Sequence, residues 1–289
     1  MTEPRAAEFC SLRDWLAEVA DFAQRRRGAG GYQTDEFGFD PELTTSVLMP
    51  MVRWLYQNWF RVRMRGVENI PDTGAALVVS NHAGVLPIDV VMVQVGVHYE
   101  HPRHRNLRLL GADLVYEVPL LAQLARRSGH TQASPEQAHR LLTSGQLVGV
   151  CPEGFKGTGK PFSERYQLRR FGRGGFAVSA IRAGVPIIPC AIVGAEEIYP
   201  MIGNARWLAE LLGLPYFPIT PLFPWFGLLG TIPLPSDWII AFGEPVPTDH
   251  YGPAAAGDSA AVCELADRVR DIVQQMVDDL VAERGPAFS

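Results

Sequence analysis

The chain has 289 residues, 47% of them hydrophobic and 20% charged, and a net charge of −5. That is enough length for one large domain or two small ones, with too much apolar material for global disorder and no basic excess to suggest a nucleic-acid surface. Its four cysteines (Cys10, Cys151, Cys190, Cys263) form no CxxC pair, so no disulfide framework or metal cage is expected and a reducing compartment is the default.

The opening MTEPRAAEFCSLRDWLAE carries acidic residues early and no unbroken apolar run, so no signal peptide is expected. No breaker-free run of about 18 apolar residues occurs anywhere, so no transmembrane helix is expected either. Residues 8–27 read as a helix with Phe9, Leu12, Leu16, Val19 and Phe22 on one stripe, followed by a glycine-rich link at 28–31. A second amphipathic stretch, 42–64, contains Trp54, Tyr56, Trp59 and Phe60 together with Arg53, Arg61 and Arg63, and Arg65 lies just beyond it. Pro50 marks its true start or a kink. Residues 1–65 are thus expected to form a helical cap or membrane-facing platform, with Trp54 and Trp59 as candidate membrane contacts.

From 66 to 250, short β-rich runs alternate with helical stretches: 76–80, 107–112, 146–151, 186–194 and 238–243. Such alternation predicts an α/β domain whose central sheet is mostly parallel and flanked by helices. The best-marked helix starts at Ser134-Pro-Glu-Gln137, with an N-cap, a proline at the first helical position and a capping-box Gln, and stops at Gly145. The C-terminal segment, 251–289, contains an amphipathic helix expected to pack on the core through Leu265, Val269, Ile272, Val273, Met276 and Leu280. One segment breaks the pattern. Residues 214–235 are strongly apolar, with prolines at 215, 218, 221 and 224, which forbid a straight spanning helix. The segment either covers the core or lies at a membrane interface, where Phe223, Trp225 and Phe226 suit the headgroup region.

Two stretches carry chemistry. In ALVVSNHAGVLPID (76–89), Asn81-His82 follows a buried strand and Asp89 stands seven residues after His82. A His at a strand's carboxyl end lies where α/β proteins assemble their sites, and a carboxylate can hold one imidazole nitrogen while the other serves as a base. Alone, such a His is as compatible with a structural role. In CPEGFKGTGKP (151–161), Gly154-x4-Gly159-Lys160 imitates a phosphate-binding P-loop, but Pro161 replaces the hydroxyl that would ligate magnesium. Neither a Gly-x-Ser-x-Gly elbow nor a sign of an activated Cys151 thiol is present. HYEHPRH (98–104) reads as a surface loop rather than a metal site.

The order and spacing of these stretches resemble the glycerolipid acyltransferases, the family of glycerol-3-phosphate and lysophosphatidic acid acyltransferases. Asn81-His82…Asp89 matches the family's Asn-His-x4-Asp motif with a longer, proline-containing spacer, closer to the diacylglycerol-acyltransferase-like branch. Cys151-Pro152-Glu153-Gly154-Phe155-Lys156, about 70 residues on, matches Phe-Pro-Glu-Gly-Thr-Arg, and VPIIP (185–189) matches a later proline-bearing strand. The resemblance covers about 66–245. It implies transfer of a fatty acyl group from acyl-CoA or acyl-carrier protein to a lipid hydroxyl at the cytoplasmic face of a membrane, peripherally bound, with no cofactor and no metal. His82 would be the general base and Asp89 its orienting partner. Asn81, Glu153, Gly154, Lys156, Lys160 and Arg173 would bind substrate. Lys156 would hold phosphate as a point charge where the family has arginine. The basic run from Lys156 to Arg173 is either a solvated loop or a seat for coenzyme A or lipid phosphates. Its Arg173-Gly174-Gly175 opens a helix whose start suits an anion. The family's phosphate-binding arginine has no counterpart after Gly129, and Arg126 and Arg127 precede that position. The alternative function is a catalytically silent relative that binds lipid or acyl-CoA in the same groove. The two readings differ on whether His82 and Asp89 meet.

Overall fold

In the computed structural model, which describes residues 12–29 and 33–285, the elements follow in chain order. They are α1 (Leu12–Ala29), α2 (Pro41–Leu43), α3 (Met49–Trp54), β1 (Arg63–Arg65), β2 (Ala76–Ser80), α4 (Ile88–Glu100), β3 (Leu107–Gly111), α5 (Asp113–Glu117), α6 (Pro119–Arg127) and β4 (His130–Gln132). Then come α7 (Pro135–Thr143), β5 (Leu147–Val150), α8 (Phe155–Thr158), α9 (Gly175–Ala183), β6 (Ile187–Val193), β7 (Gly203–Asn204), α10 (Arg206–Leu212), β8 (Pro218–Ile219), β9 (Ile239–Phe242) and α11 (Ser259–Arg284).

Seven strands form one sheet in the order β1-β9-β6-β2-β5-β3-β4. Every pairing is parallel except β6 with β9. Strand β2 sits between β5 and β6, so its carboxyl end opens at the middle of the sheet. Period-2 alternation sorts its side chains: Leu77 and Val79 face one core, Ala76 and Val78 the other. The first core is closed by α7, α9 and α11, the second by α4 and the helical run before β1. Both faces being covered explains why the central strands read as continuous apolar runs rather than alternating ones.

All five runs expected as strands are strands. Ser134 caps α7 by accepting from the Gln137 N–H at 3.1 Å, as its sequence predicts. In α11, Leu265, Val269, Val273 and Leu280 are buried, with Ile272 and Met276 at the core's margin. Pro50 acts as a kink rather than a start: a π turn, Thr44–Leu48, precedes it and closes with the Met49 N–H on the Thr44 carbonyl. On α1, Val19 and Phe22 are half-buried while Leu16 is exposed, and Phe9 lies outside the described residues. The helix persists through Arg25–Arg27 because Arg26 pairs with the buried Asp40, the N-cap of α2. Strand β1 lies inside the expected N-terminal platform yet belongs to the central sheet.

The expectation of a surface loop at 98–104 holds for 102–104, which form an exposed turn, but fails before them. Helix α4 runs through His98 to Glu100, and His98 and His101 are buried. His101 Nε2 lies 3.1 Å from the Ile70 carbonyl and His104 Nδ1 2.9 Å from the His98 carbonyl. These rings stitch backbone together, and no group of three or more His, Cys, Asp or Glu suited to a metal occurs among the described residues.

Candidate active site

Three loops meet beyond the carboxyl ends of β2, β5 and β6, the edge where parallel sheets gather functional groups. The first carries His82, the second Glu153 and Gly154, the third Glu196 and Glu197. His82 Nδ1 lies 2.7 Å from Asp89 Oδ2. Asp89 is fully buried in the first turn of α4, where the helix dipole favours a carboxylate. Its Oδ2 also accepts from the Ala83 N–H at 2.7 Å and its Oδ1 from the Val90 N–H at 2.8 Å. The long spacer does not separate the pair because Leu86 and Pro87 turn out into solvent while Ala83 and Gly84 stay buried. Burial alone would lower the His82 pKa. The charge and hydrogen bond of Asp89, helped by Glu153 and opposed by Lys160, outweigh it and hold the pKa above the ordinary 6.5. With Nδ1 donating to the carboxylate, Nε2 carries the lone pair, and it has no hydrogen-bond partner among the described residues.

Glu153 holds the His82 segment from below. Its Oε1 accepts from the His82 N–H at 2.9 Å and its Oε2 from the Arg169 N–H at 2.6 Å, and it is almost wholly buried. Gly154 supplies the turn into α8 at φ +54 and ψ −144, a conformation essentially restricted to glycine. Gly157 lets α8 press on the base: a Cβ there would fall 2.9 Å from the His82 carbonyl oxygen.

A match to the Acyltransferase family spans residues 61–193, which contain the dyad and the Glu153 loop. An uncharacterized protein of Mycobacterium tuberculosis is 54% identical over 277 residues, 96% of this chain and 77% of that one. An uncharacterized protein of Mycobacterium leprae is 50% identical over 282 residues, 98% of this chain and 77% of its own. This chain belongs to the Acyltransferase family. The "DGAT1/2-independent enzyme synthesizing storage lipids" of Homo sapiens is 28% identical over 225 residues, 76% of this chain and 62% of that one. In fold the chain is similar to the 1-acyl-sn-glycerophosphate (LPA) acyltransferase PlsC of Thermotoga maritima. The TM-score is 0.56 at 18% identity, covering 95% of this chain and 92% of that one.

Asn81 and Lys160, both expected to bind substrate, have their polar groups engaged within the protein, as Glu153 does. Asn81 is fully buried; its Nδ2 donates to the Ile192 carbonyl at 2.9 Å and its Oδ1 accepts from the Ile192 N–H at 2.8 Å, clamping the end of β2 to β6. Lys160 is not a free cation. Its ammonium is buried, 3.1 Å from Glu196 Oε1 and 3.0 Å from the Gln167 carbonyl, because an unpartnered charge there would be costly. Burial holds the Glu196 carboxyl above its ordinary range, and Lys160 offsets only part of that. Lys156 and Arg173 are exposed, as is Arg170. Elsewhere in the basic run, Arg169 pairs with Glu164 and Arg165 stacks on Phe162, 4.5 Å to the centroid. Gly174 is buried, and a Cβ there would meet Val262 of α11 at 2.7 Å, so its glycine serves packing at the start of α9.

Cys151 has its Sγ 3.1 Å from Ser80 Oγ, and burial, with the Asp89 charge adding to it, pushes the thiol well up, so it stays protonated. Trp225 and Phe226 are 70% and 62% exposed, and Trp54 is also exposed. Phe223 is half-buried against Phe217, and Trp59 is half-buried with its Nε1 donating to the Pro233 carbonyl at 3.0 Å. That bond fastens the N-terminal helical run to segment 214–235. Sequence reading missed Thr158, Glu196, Tyr216 and the Arg169 N–H, because none belongs to a recognisable spacing.

Proposed function

We propose that this protein is a membrane-associated O-acyltransferase that moves a fatty acyl group from acyl-CoA to a hydroxyl of a glycerolipid-type acceptor. The His82–Asp89 contact of 2.7 Å at the sheet's carboxyl edge carries the reading, and it favours an enzyme over a silent lipid-binding relative. Asp89 accepts from His82 Nδ1–H and fixes the tautomer. Nε2 takes the proton of the acceptor hydroxyl as its oxygen attacks the thioester carbonyl. The carbon–sulfur bond breaks as the tetrahedral intermediate collapses. The imidazolium, stabilised by Asp89, returns the proton to the leaving thiolate, giving acylated lipid and free coenzyme A. No acyl-enzyme forms, in keeping with the protonated Cys151.

The exposed Lys156, Arg170 and Arg173 suit the phosphates of coenzyme A. The membrane reading rests on exposed apolar side chains: Trp225, Phe226, Leu228 and Leu229 within four residues of one another in segment 214–235, and Trp207 and Leu211 on α10. No helix among the described residues is long and apolar enough to cross a membrane. The test is a radiolabelled transfer assay on the purified protein, with acyl-CoA or acyl-carrier protein as donor and glycerol 3-phosphate, lysophospholipid, diacylglycerol and glycolipid as acceptors. Transfer by the wild type and none by His82→Ala is the expected result. Equal activity of the two proteins would remove the proposed base.

A further inference from the structure

The spacer between His82 and Asp89 is held on three sides. From below, Glu153 accepts the His82 N–H at 2.9 Å. From within, Asp89 accepts the Ala83 N–H at 2.7 Å. From outside comes a residue far along the chain: the Tyr216 phenol donates to the Val85 carbonyl at 2.6 Å, across 131 residues. Gly84, between the second and third holds, lies close against the next loop, where a Cβ would fall 3.0 Å from the Ala195 carbonyl oxygen. A spacer of six residues loses conformational entropy for every residue it fixes. It stays in one arrangement only if bonds offset that loss, and Tyr216 supplies the one that reaches Val85.

The chain leaves a seat for this ring. Gly159 ends α8, and a Cβ on it would lie 3.0 Å from Tyr216 Cδ1. The stretch that imitates a P-loop therefore divides into packing tasks: Gly159 admits the Tyr216 ring, and Lys160 pairs with Glu196. The phenol is half-buried. Burial pushes its pKa above the ordinary 10, and the neighbouring Thr158 hydroxyl offsets only part of that, so the phenol remains a donor wherever a histidine base works. The Asp89 charge reaches it as well, which places the ring beside the dyad. Tyr216 also belongs to the apolar segment 214–235. The next residue, Phe217, packs on Phe223 with ring centroids 5.4 Å apart, and Phe223 leads directly to the exposed Trp225 and Phe226.

We infer that Tyr216 is a positioning residue for His82: through the Val85 carbonyl it fixes the spacer that sets the imidazole against Asp89, and it ties that spacer to segment 214–235. It touches no reacting atom. Without its hydroxyl the Val85 carbonyl loses its partner, the spacer gains other arrangements, and His82 spends less time aligned with Asp89. A displacement of about 1 Å in a catalytic constellation costs on the order of 10²-fold in rate, so even partial loosening is visible in kcat. This rests on the acyltransferase reading where it calls His82 a base, but the clasp on the spacer is measurable without turnover.

The test is Tyr216→Phe in the full-length protein, which keeps the ring on Gly159 and removes only the hydroxyl. Two NMR measurements need no substrate. Backbone order parameters at Ala83, Gly84 and Val85 should fall from the rigid range near about 0.85 toward the flexible range below about 0.6, while those of β2 stay unchanged. The His82 ring titration should move to lower pH. Burial and the Lys160 charge lower its pKa, Asp89 and secondarily Glu153 raise it, and a loosened spacer weakens the Asp89 contribution first. In transfer assays kcat should fall roughly tenfold or more with acceptor KM nearly unchanged. Order parameters or a His82 titration identical to the wild type overturn the inference, because a residue that merely adds stability elsewhere would move neither. A defect confined to acceptor KM also overturns it and makes Tyr216 a substrate contact. A loosened spacer and a shifted His82, in a protein whose wild type transfers to no acceptor, support the clasp and count against the acyltransferase reading alone.

Discussion

The imidazole of His82 and the carboxylate of Asp89 are in hydrogen-bond contact at 2.7 Å although six residues, one of them a proline, separate them in the chain. The contact survives because the spacer folds in two parts: Ala83 and Gly84 stay under the sheet edge, and Leu86 and Pro87 project outward. The Ala83 N–H donates to the same carboxylate oxygen that faces His82, so the loop is built around Asp89.

That arrangement predicts a pH profile. The base works when neutral, and Asp89 holds its pKa above 6.5, so the acid limb of the rate should lie above pH 6.5. Asp89→Asn leaves burial less opposed; the limb should move to lower pH while the plateau falls roughly 10²–10⁴-fold. Stability should run the other way. A histidine whose folded pKa is raised adds stability that is complete below its unfolded pKa and is lost as pH climbs through the folded one. The melting-temperature gap between wild type and Asp89→Asn should therefore be widest at acid pH and narrow toward alkaline pH. A gap that widened with pH would contradict this coupling.

Much of the fold was legible in the sequence because the central strands are apolar on both faces and carry their length in four to seven residues. Strands β1 and β4, three residues each, were not, since three residues cannot display a period. The dyad was legible from residue type and position after a strand. What lay out of reach was partnership: Lys160 looks like a free cation until Glu196, 36 residues later, comes to meet it, and Asn81 looks like a substrate contact until Ile192 engages both ends of its amide. His98 and His101 misled for the same reason. Their polar, charged neighbourhood in the chain says nothing of the Ile70 carbonyl that makes burial of His101 tolerable.

Asn81→Ala separates a clamp from a substrate contact. It leaves the buried Ile192 N–H and carbonyl without their partner, a cost of roughly 1–3 kcal/mol per group. A drop of several degrees in melting temperature is expected, with acceptor KM in the surviving folded protein nearly unchanged. A raised KM at unaltered melting temperature would return Asn81 to the substrate site.

Glu153→Gln probes the support beneath the base. Glutamine has one accepting oxygen, yet both the His82 and Arg169 N–H groups need one, so one donor is left facing an amide NH₂. Loss of roughly 1–3 kcal/mol of stability should accompany a fall in kcat, because the His82 backbone loses its anchor. Differential scanning calorimetry and steady-state kinetics decide the point. An effect confined to acceptor KM would instead make Glu153 a substrate ligand.

The last prediction concerns the surface formed by segment 214–235. Trp225 and Phe226 are mostly exposed, so their replacement removes no core contact. Burying such side chains in a bilayer interface contributes about 1.5–3 kcal/mol each at full burial. Trp225→Ser with Phe226→Ser should therefore lower partition into phospholipid vesicles by more than about tenfold even if burial is only partial. The melting temperature should be unchanged, and so should activity toward a water-soluble short-chain acceptor. Trp59 behaves differently on this account, because its Nε1 holds the Pro233 carbonyl and its loss would loosen the segment itself. Trp59→Phe should cost stability as well as vesicle binding. Vesicle sedimentation that gave the same bound fraction for wild type and the Trp225→Ser/Phe226→Ser protein would move the membrane contact elsewhere on the molecule.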